Sequence, residues 1–288
     1  MREILSDIRR WRERGDKQVA LATVVATRGS APRPIGSKLA VSEQGELAGS
    51  VSGGCVESEV ALVAAEVLAS GEERSVTYGI SDDQAFSIGL PCGGEIDVLV
   101  ERVALSELDR LAEEAPSRRL LVFGAVDIAE ALCKAAKELG WQTIVADPRR
   151  KFATPERMPS ADELLLEWPD EVLARVEPDE NTAVVVLTHE ERFDIPALKG
   201  ALATGAFYVG ALGARRNQER RRERLLEEGV AEEDIDRIAG PAGLDIGAHS
   251  PAETGLSILA EILARRAGRS GGPLKDGTGR IHAELQRR

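Results

Sequence analysis

The chain has little of what several large functional classes require. Three cysteines in 288 residues are too few, and an odd number, for a disulfide framework. No C-x-x-C pair is present, so the zinc-binding and redox spacings built on that pattern are missing. No apolar run approaches the roughly 18 residues that cross a bilayer. The opening "MREILSDIRRWRERGDK" is charged throughout and reads as neither secretory leader nor anchor. A cytoplasmic protein without a membrane partner is the expectation. Positive charge is in the minority, with 37 Lys and Arg against 49 Asp and Glu and a net charge of −12. Such a surface repels a phosphate backbone, so no nucleic-acid partner is expected. Aromatics make up only 3%, yet the apolar share of 43% and the length are ample for two buried cores.

What is present falls into two halves that meet at "EEAPSRR", where proline and charge interrupt the apolar pattern. The expected division is 1–115, 116–268 and a loosely ordered tail, 269–288. The first half opens with an amphipathic helix carrying Leu5, Ile8 and Trp11 on one stripe. A strand over 18–27, a hairpin turning at Gln44 and Gly45, a helix from Cys55 to Ser70 and two further strands give it α+β character. The second half alternates strand and helix from "RLLVFG" onward. That rhythm predicts a doubly wound parallel sheet.

A dinucleotide-binding turn needs G-x-G-x-x-G between the first strand and helix of such a sheet. Here the turn has Gly124, Val126 and Ala129 at the three glycine positions, with Asp127 beside them. Val126 crowds the place of a pyrophosphate, and Asp127 brings negative charge to a helix N-terminus. Asp127 reads equally well as an N-cap. Asp147 follows at about the 20-residue distance where an acid meets a ribose hydroxyl, and Arg149 comes just after it. Gly124, Asp127, Asp147 and Arg149 are therefore candidate nucleotide contacts. NAD(P)-dependent oxidoreduction is the alternative reading of the chain.

Two of the three cysteines lie against glycine pairs. "VSGGCVESEV" puts Cys55 behind Gly53 and Gly54 at the head of a helix, and "GLPCGGEID" puts Cys92 after Pro91 and before Gly93 and Gly94. A helix N-terminus favours a thiolate, and glycines leave sulfur uncovered and amides open to an anion. Glu57 reads as an acid/base group or as a simple first-turn acid. The plain alternative is two small buried cysteines in glycine turns; Cys133, in mid-helix, reads as packing. His189 ends a strand at the carboxyl-end crevice and reads mainly as a satisfied strand-end histidine; Asp245 and His249, in a glycine-rich loop ahead of the last helix, read as caps of that helix or as lining of the same crevice. Arg215 and Arg216 open a basic stretch that reads mainly as a solvated helix face.

These motifs, with "ATRGSAPRPIGSKLAV", "VFGAVDIAEAL", "VADPRRKFATPERMPSADELL", "YVGALGARRNQERRRERL" and "GLDIGAHSPAETGLSILAEILA", resemble in order those of the XdhC/CoxI family of xanthine dehydrogenase accessory proteins. The resemblance implies an N-terminal XdhC/CoxI-type α+β domain followed by a Rossmann-like doubly wound domain. It implies a chaperone that binds molybdenum cofactor, as molybdopterin or its dinucleotide form. Such a protein supports sulfuration of the cofactor and delivers it to an apo molybdenum hydroxylase such as xanthine dehydrogenase or carbon monoxide dehydrogenase. A cysteine desulfurase and a second copy of the chain are the further partners it implies. By position it singles out Cys55 and Cys92 as molybdenum contacts, and Arg28, Ser30 and Lys38 as groups suited to phosphate. Members commonly carry glycine and histidine where this chain has Val126 and Asp127.

Overall fold

A computed structural model describes residues 2–29, 31, 33–79, 94–108, 118–188 and 190–277. The chain forms two compact units, one of residues 1–115 with 274–288, the other of residues 116–273.

In the first unit, strand β1 (Gln18–Arg28) is central. Its apolar residues alternate between two cores, because successive strand side chains point to opposite faces. Ala20, Ala22 and Val24 pack beneath helix α2 (Glu57–Ser70). Val19 and Leu21 pack with Ile4, Ile8 and Trp11 of helix α1 (Arg2–Arg14). The buried stripe of α1 thus runs through Ile4, not Leu5, which is half-buried. The i, i+4, i+7 spacing of Ile4, Ile8 and Trp11 points all three at the sheet.

Strands β2 (Lys38–Ser42), β3 (Leu47–Gly49), β4 (Arg74–Tyr78) and β5 (Glu95–Ala104) complete an antiparallel sheet in the order β3-β2-β1-β5-β4. The register fixes where its loops lie. Arg28 at the end of β1 faces Glu95 at the start of β5, Lys38 faces Thr23, and Gly49 faces Leu39. The loop after β1, the loop between β3 and α2, and the entry to β5 therefore share one end of the sheet. The first two of those places carry the Arg-Gly and Gly-Gly-Cys motifs, and the third begins at Gly94.

The second unit is a six-stranded sheet in the order β11-β10-β9-β6-β7-β8, with every neighbouring pair parallel. Its strands are β6 (Arg119–Phe123), β7 (Gln142–Ala146), β8 (Glu163–Leu165), β9 (Thr182–Val186), β10 (Tyr208–Ala211) and β11 (Ile238–Ala239). Helices α3 (Asp127–Glu138) and α8 (Pro251–Arg266) cover one face. Helices α4 (Pro169–Val176), α5 (Glu191–Leu202) and α6 (Arg215–Glu227) cover the other, and a short helix α7 (Glu232–Ile235) leads into β11. Strand order reverses between β6 and β9, where Phe123 pairs with Val186. A doubly wound sheet opens a crevice at the carboxyl ends of its strands at that reversal.

Candidate functional site

At the loop end of the first unit, Val51, Ser52 and Val56 are buried, while Gly53, Gly54 and Cys55 between them are exposed. The two glycines have φ of 83° and 110°, a backbone that side chains disfavour. The result is a short arch, rooted in the core at both feet, with a thiol at its crest. Helix α2 begins at Glu57, not at Cys55.

The amides of this arch are not open to an outside anion, contrary to the expectation from the glycines. The Glu57 carboxylate turns back under the loop. Its Oε1 accepts from Ser50 Oγ at 2.6 Å, Val51 N at 3.2 Å and Ser52 N at 2.9 Å. Its Oε2 accepts from Ser52 Oγ at 2.5 Å, Gly54 N at 2.9 Å and Val56 N at 3.2 Å. Gly53 N donates to Ser50 Oγ, and Cys55 N and Val56 N donate to Ser52 Oγ. Burial by itself would raise the Glu57 pKa, but the bonds from Ser50, Ser52 and the loop amides outweigh it and hold the group at about 2. Glu57 is thus a fixed anion, not the acid/base group weighed from sequence.

Near the same end, Arg28 forms a two-pronged bond to Asp97 at 2.8 and 3.2 Å and reaches Glu95 at 3.3 Å. Thr77 and Arg28 hold the Asp97 carboxyl below its ordinary range. Lys38 donates to Thr23 Oγ1 at 2.8 Å, and burial lowers its pKa. Gly94 is buried at the entry to β5. Ser30, Pro91, Cys92, Gly93 and His189 lie outside the described residues.

In the crevice of the second unit, Gly124 ends β6 with φ of 108°, and a Cβ there would fall 2.7 Å from Thr188 Cγ2. The turn therefore needs glycine at its first position. Asp147 is fully buried at the end of β7. Its carboxylate accepts from Ala125 N at 3.0 Å, Arg149 N at 2.9 Å, Arg149 Nε at 2.9 Å and Arg149 Nη2 at 2.7 Å. Burial opposes ionisation, and these bonds, led by Arg149, overcome it and lower the pKa. Arg149 also reaches Glu190 at 2.6 Å and lies over the rings of Phe152 and Phe193. The guanidinium thus links the loops that follow β7 and β9.

Asp127 is the first residue of α3, mostly exposed and 3.5 Å from Arg157; Val126 holds the N-cap position without a side-chain bond. The N-cap reading of Asp127 is corrected accordingly. Ser250, not His249 or Asp245, caps α8, and the His249 amide donates to Glu253. Cys133 is sealed in the core, which pushes its thiol up to about 12. Among the described residues no group of three metal-ligating side chains comes together.

One cluster escaped the sequence. Arg221, inside the basic stretch, is buried against Asp194 at 2.9 Å; it also bonds Gln218 at 2.6 Å and the Leu212 carbonyl at 3.1 Å. Thr188 donates to the same Asp194. The signal was helical spacing: Gln218, Arg221 and Leu225 share a face, and Leu225 is fully buried.

The family model described as XdhC Rossmann domain matches residues 120–262, and that of the XdhC and CoxI family matches residues 11–79. PaoD, the molybdenum cofactor insertion chaperone of Escherichia coli strain K12, is 29% identical over 87% of this chain and 84% of its own length. A Bacillus subtilis strain 168 protein described as a probable xanthine dehydrogenase subunit is 25% identical over 87% of this chain and 94% of its own. A crystal structure described as a xanthine dehydrogenase from Bacillus halodurans superposes with a TM-score of 0.76 over 94% of this chain and 98% of that one. At 23% identity, that likeness carries the fold.

Proposed function

The chain belongs to the XdhC and CoxI family, and from that premise we propose that it is an accessory protein which binds molybdenum cofactor and delivers it to an apo molybdenum hydroxylase. The name of PaoD supports the cofactor, and that of the Bacillus subtilis relative supports a xanthine dehydrogenase as client. The observation that carries the reading is the exposed Cys55 at the crest of a loop whose polar groups are otherwise engaged.

When bound, the cofactor brings a molybdenum centre on a pterin dithiolene, together with an anionic phosphate. A cysteine sulfur is a soft ligand suited to such a metal, and Cys55 offers one in reach of solvent. Cys92 is its proposed companion. Arg28 and Lys38 sit at the same end of the sheet as cations for the phosphate, with Ser30 as a hydroxyl between them in sequence. Gly53 and Gly54 shape the arch that Glu57 holds, and Pro91, Gly93 and Gly94 are assigned to the same site by their place beside Cys92 in the sequence.

Taken by itself, the second unit offers its own groups for a nucleotide under this reading. Gly124 leaves room for close approach, Arg149 is the cation, and Asp147 fixes Arg149; Asp127 adds a negative charge that a phosphate must avoid. Dehydrogenation through NAD(P) asks instead for an Asp147 carboxylate free to meet a ribose, and both of its oxygens are engaged. Retention of the cofactor while a cysteine desulfurase brings the sulfur, within a homodimer, completes the proposal.

The test is the molybdopterin content of the full chain and of Cys55→Ser purified from a molybdenum-replete host. The wild type should carry cofactor and the variant at least about tenfold less, a difference of roughly 1.4 kcal/mol in binding. Equal content in two equally folded proteins contradicts the role of Cys55.

A further inference from the structure

Every backbone N–H from Val51 to Val56 donates either to Glu57 or to a serine hydroxyl that itself donates to Glu57. Six donors converge on the two carboxylate oxygens, three on each. Consecutive amides turned into one concavity form an anion-binding nest. This nest is filled by the chain's own side chain.

We propose that Glu57 is the positioning residue of Cys55: its carboxylate is the resident anion on which the Gly-Gly-Cys arch is folded. The inference rests on the reading of Cys55 given above and extends it to how the thiol is presented. An acid in the first turn of a helix is usual for its interaction with the helix dipole, and any nearby negative charge serves that purpose. Six convergent donors are a narrower demand. Glutamine has the same reach, but it turns one oxygen into an NH2 group that meets three donors and accepts from none. Aspartate keeps the charge and loses a methylene of reach. Only the glutamate meets both requirements.

The arrangement also sets what the loop can recognise. With its amides engaged from within, the arch presents to a ligand the sulfur of Cys55 and no open backbone donors. An anionic group of the ligand must find its partners elsewhere, on side chains such as Arg28 and Lys38. The loop selects for a soft centre, not for a phosphate.

Hydrogen exchange on the full chain, read by mass spectrometry on peptides covering 50–56 and 57–70, tests the proposal. In Glu57→Ala the loop amides should exchange about tenfold faster or more, while the sheet amides keep their protection. Sodium formate, a free carboxylate that fits the vacated space, should restore the loop's protection and the variant's molybdopterin content together. Glu57→Gln should lose the same protection, and it decides the matter if the alanine variant does not fold. Loop exchange at the wild-type rate in either folded variant overturns the proposal. So does a loss in Glu57→Ala that formate leaves unchanged. A wild-type chain that carries no cofactor defeats the reading of Cys55 alone, because the exchange rates still judge Glu57.

Discussion

At the level of single residues, Glu57 ties stability to acid. Its pKa of about 2 lies below the ordinary glutamate value of 4.5, so the folded state favours the ionised form. That stabilisation is complete above about pH 4.5 and is lost as the pH falls through 2. Between those limits the wild type should lose on the order of 1–2 kcal/mol more than Glu57→Gln, a modest figure because water screens the loop. Urea unfolding at a series of pH values reads this difference directly; parallel losses in the two proteins contradict it. Gly124 is the other exacting position. Gly124→Ala meets both a left-handed backbone and the Thr188 side chain, and should cost at least about 1–2 kcal/mol. Chemical denaturation checks it.

Cys55 was legible because a cysteine against two glycines is an unusual local pattern. The work of Glu57 was not. Its partners, Ser50 and Ser52, lie upstream of the glycines, and only the turn of the chain brings their hydroxyls beneath the helix. The same pattern misled about the glycine amides: it shows that they are uncovered by side chains, not that they lack an acceptor.

Among the elements, the link of α5 to α6 and the end of β10 depends on a buried ion pair. Asp194 bonds Arg221, Arg221 bonds the Leu212 carbonyl, and Thr188 joins from the loop after β9. Asp194→Ala leaves the guanidinium buried without its charge partner and should cost about 3–5 kcal/mol. Replacing both residues together with Leu and Met should be far milder, since neither charge is then stranded. A double-mutant cycle in urea distinguishes the outcomes, and additive losses would contradict a shared pair.

Strands β1, β5, β6, β7, β9 and β10 were readable as apolar runs bounded by turns. The hairpin of β2 and β3 was readable from Gln44 and Gly45. Strand β11, Ile238–Ala239, was not, because two residues carry no periodicity and the strand exists through its pairing with β10. Arg221 was hidden for a related reason: a charge within a run of charges looks solvated until a neighbouring helix supplies its partner.

For the whole molecule, two compact units each have their own core, and the sheet order of the second follows from its strand–helix alternation. The chemistry gathers differently. In the first unit the antiparallel register brings Arg28, the Gly-Gly-Cys arch and the Glu95 entry to β5 to one end of the sheet, a convergence that no stretch of sequence states by itself. In the second, the dinucleotide turn keeps its first glycine, while Asp147 is committed to Arg149 on the loop after β7 and Arg149 reaches on to Glu190. A cofactor carrier needs the first arrangement, and a nicotinamide enzyme would need the second left open.

The central claim is delivery, and reconstitution measures it most directly. The full chain, loaded with molybdenum cofactor, is mixed with cofactor-free xanthine dehydrogenase, and the activity that appears is followed over time. Loaded wild type should activate the enzyme, and Cys55→Ser taken through the same loading should not. Activation no faster than with free cofactor, or equal activation by the two proteins, would contradict the account.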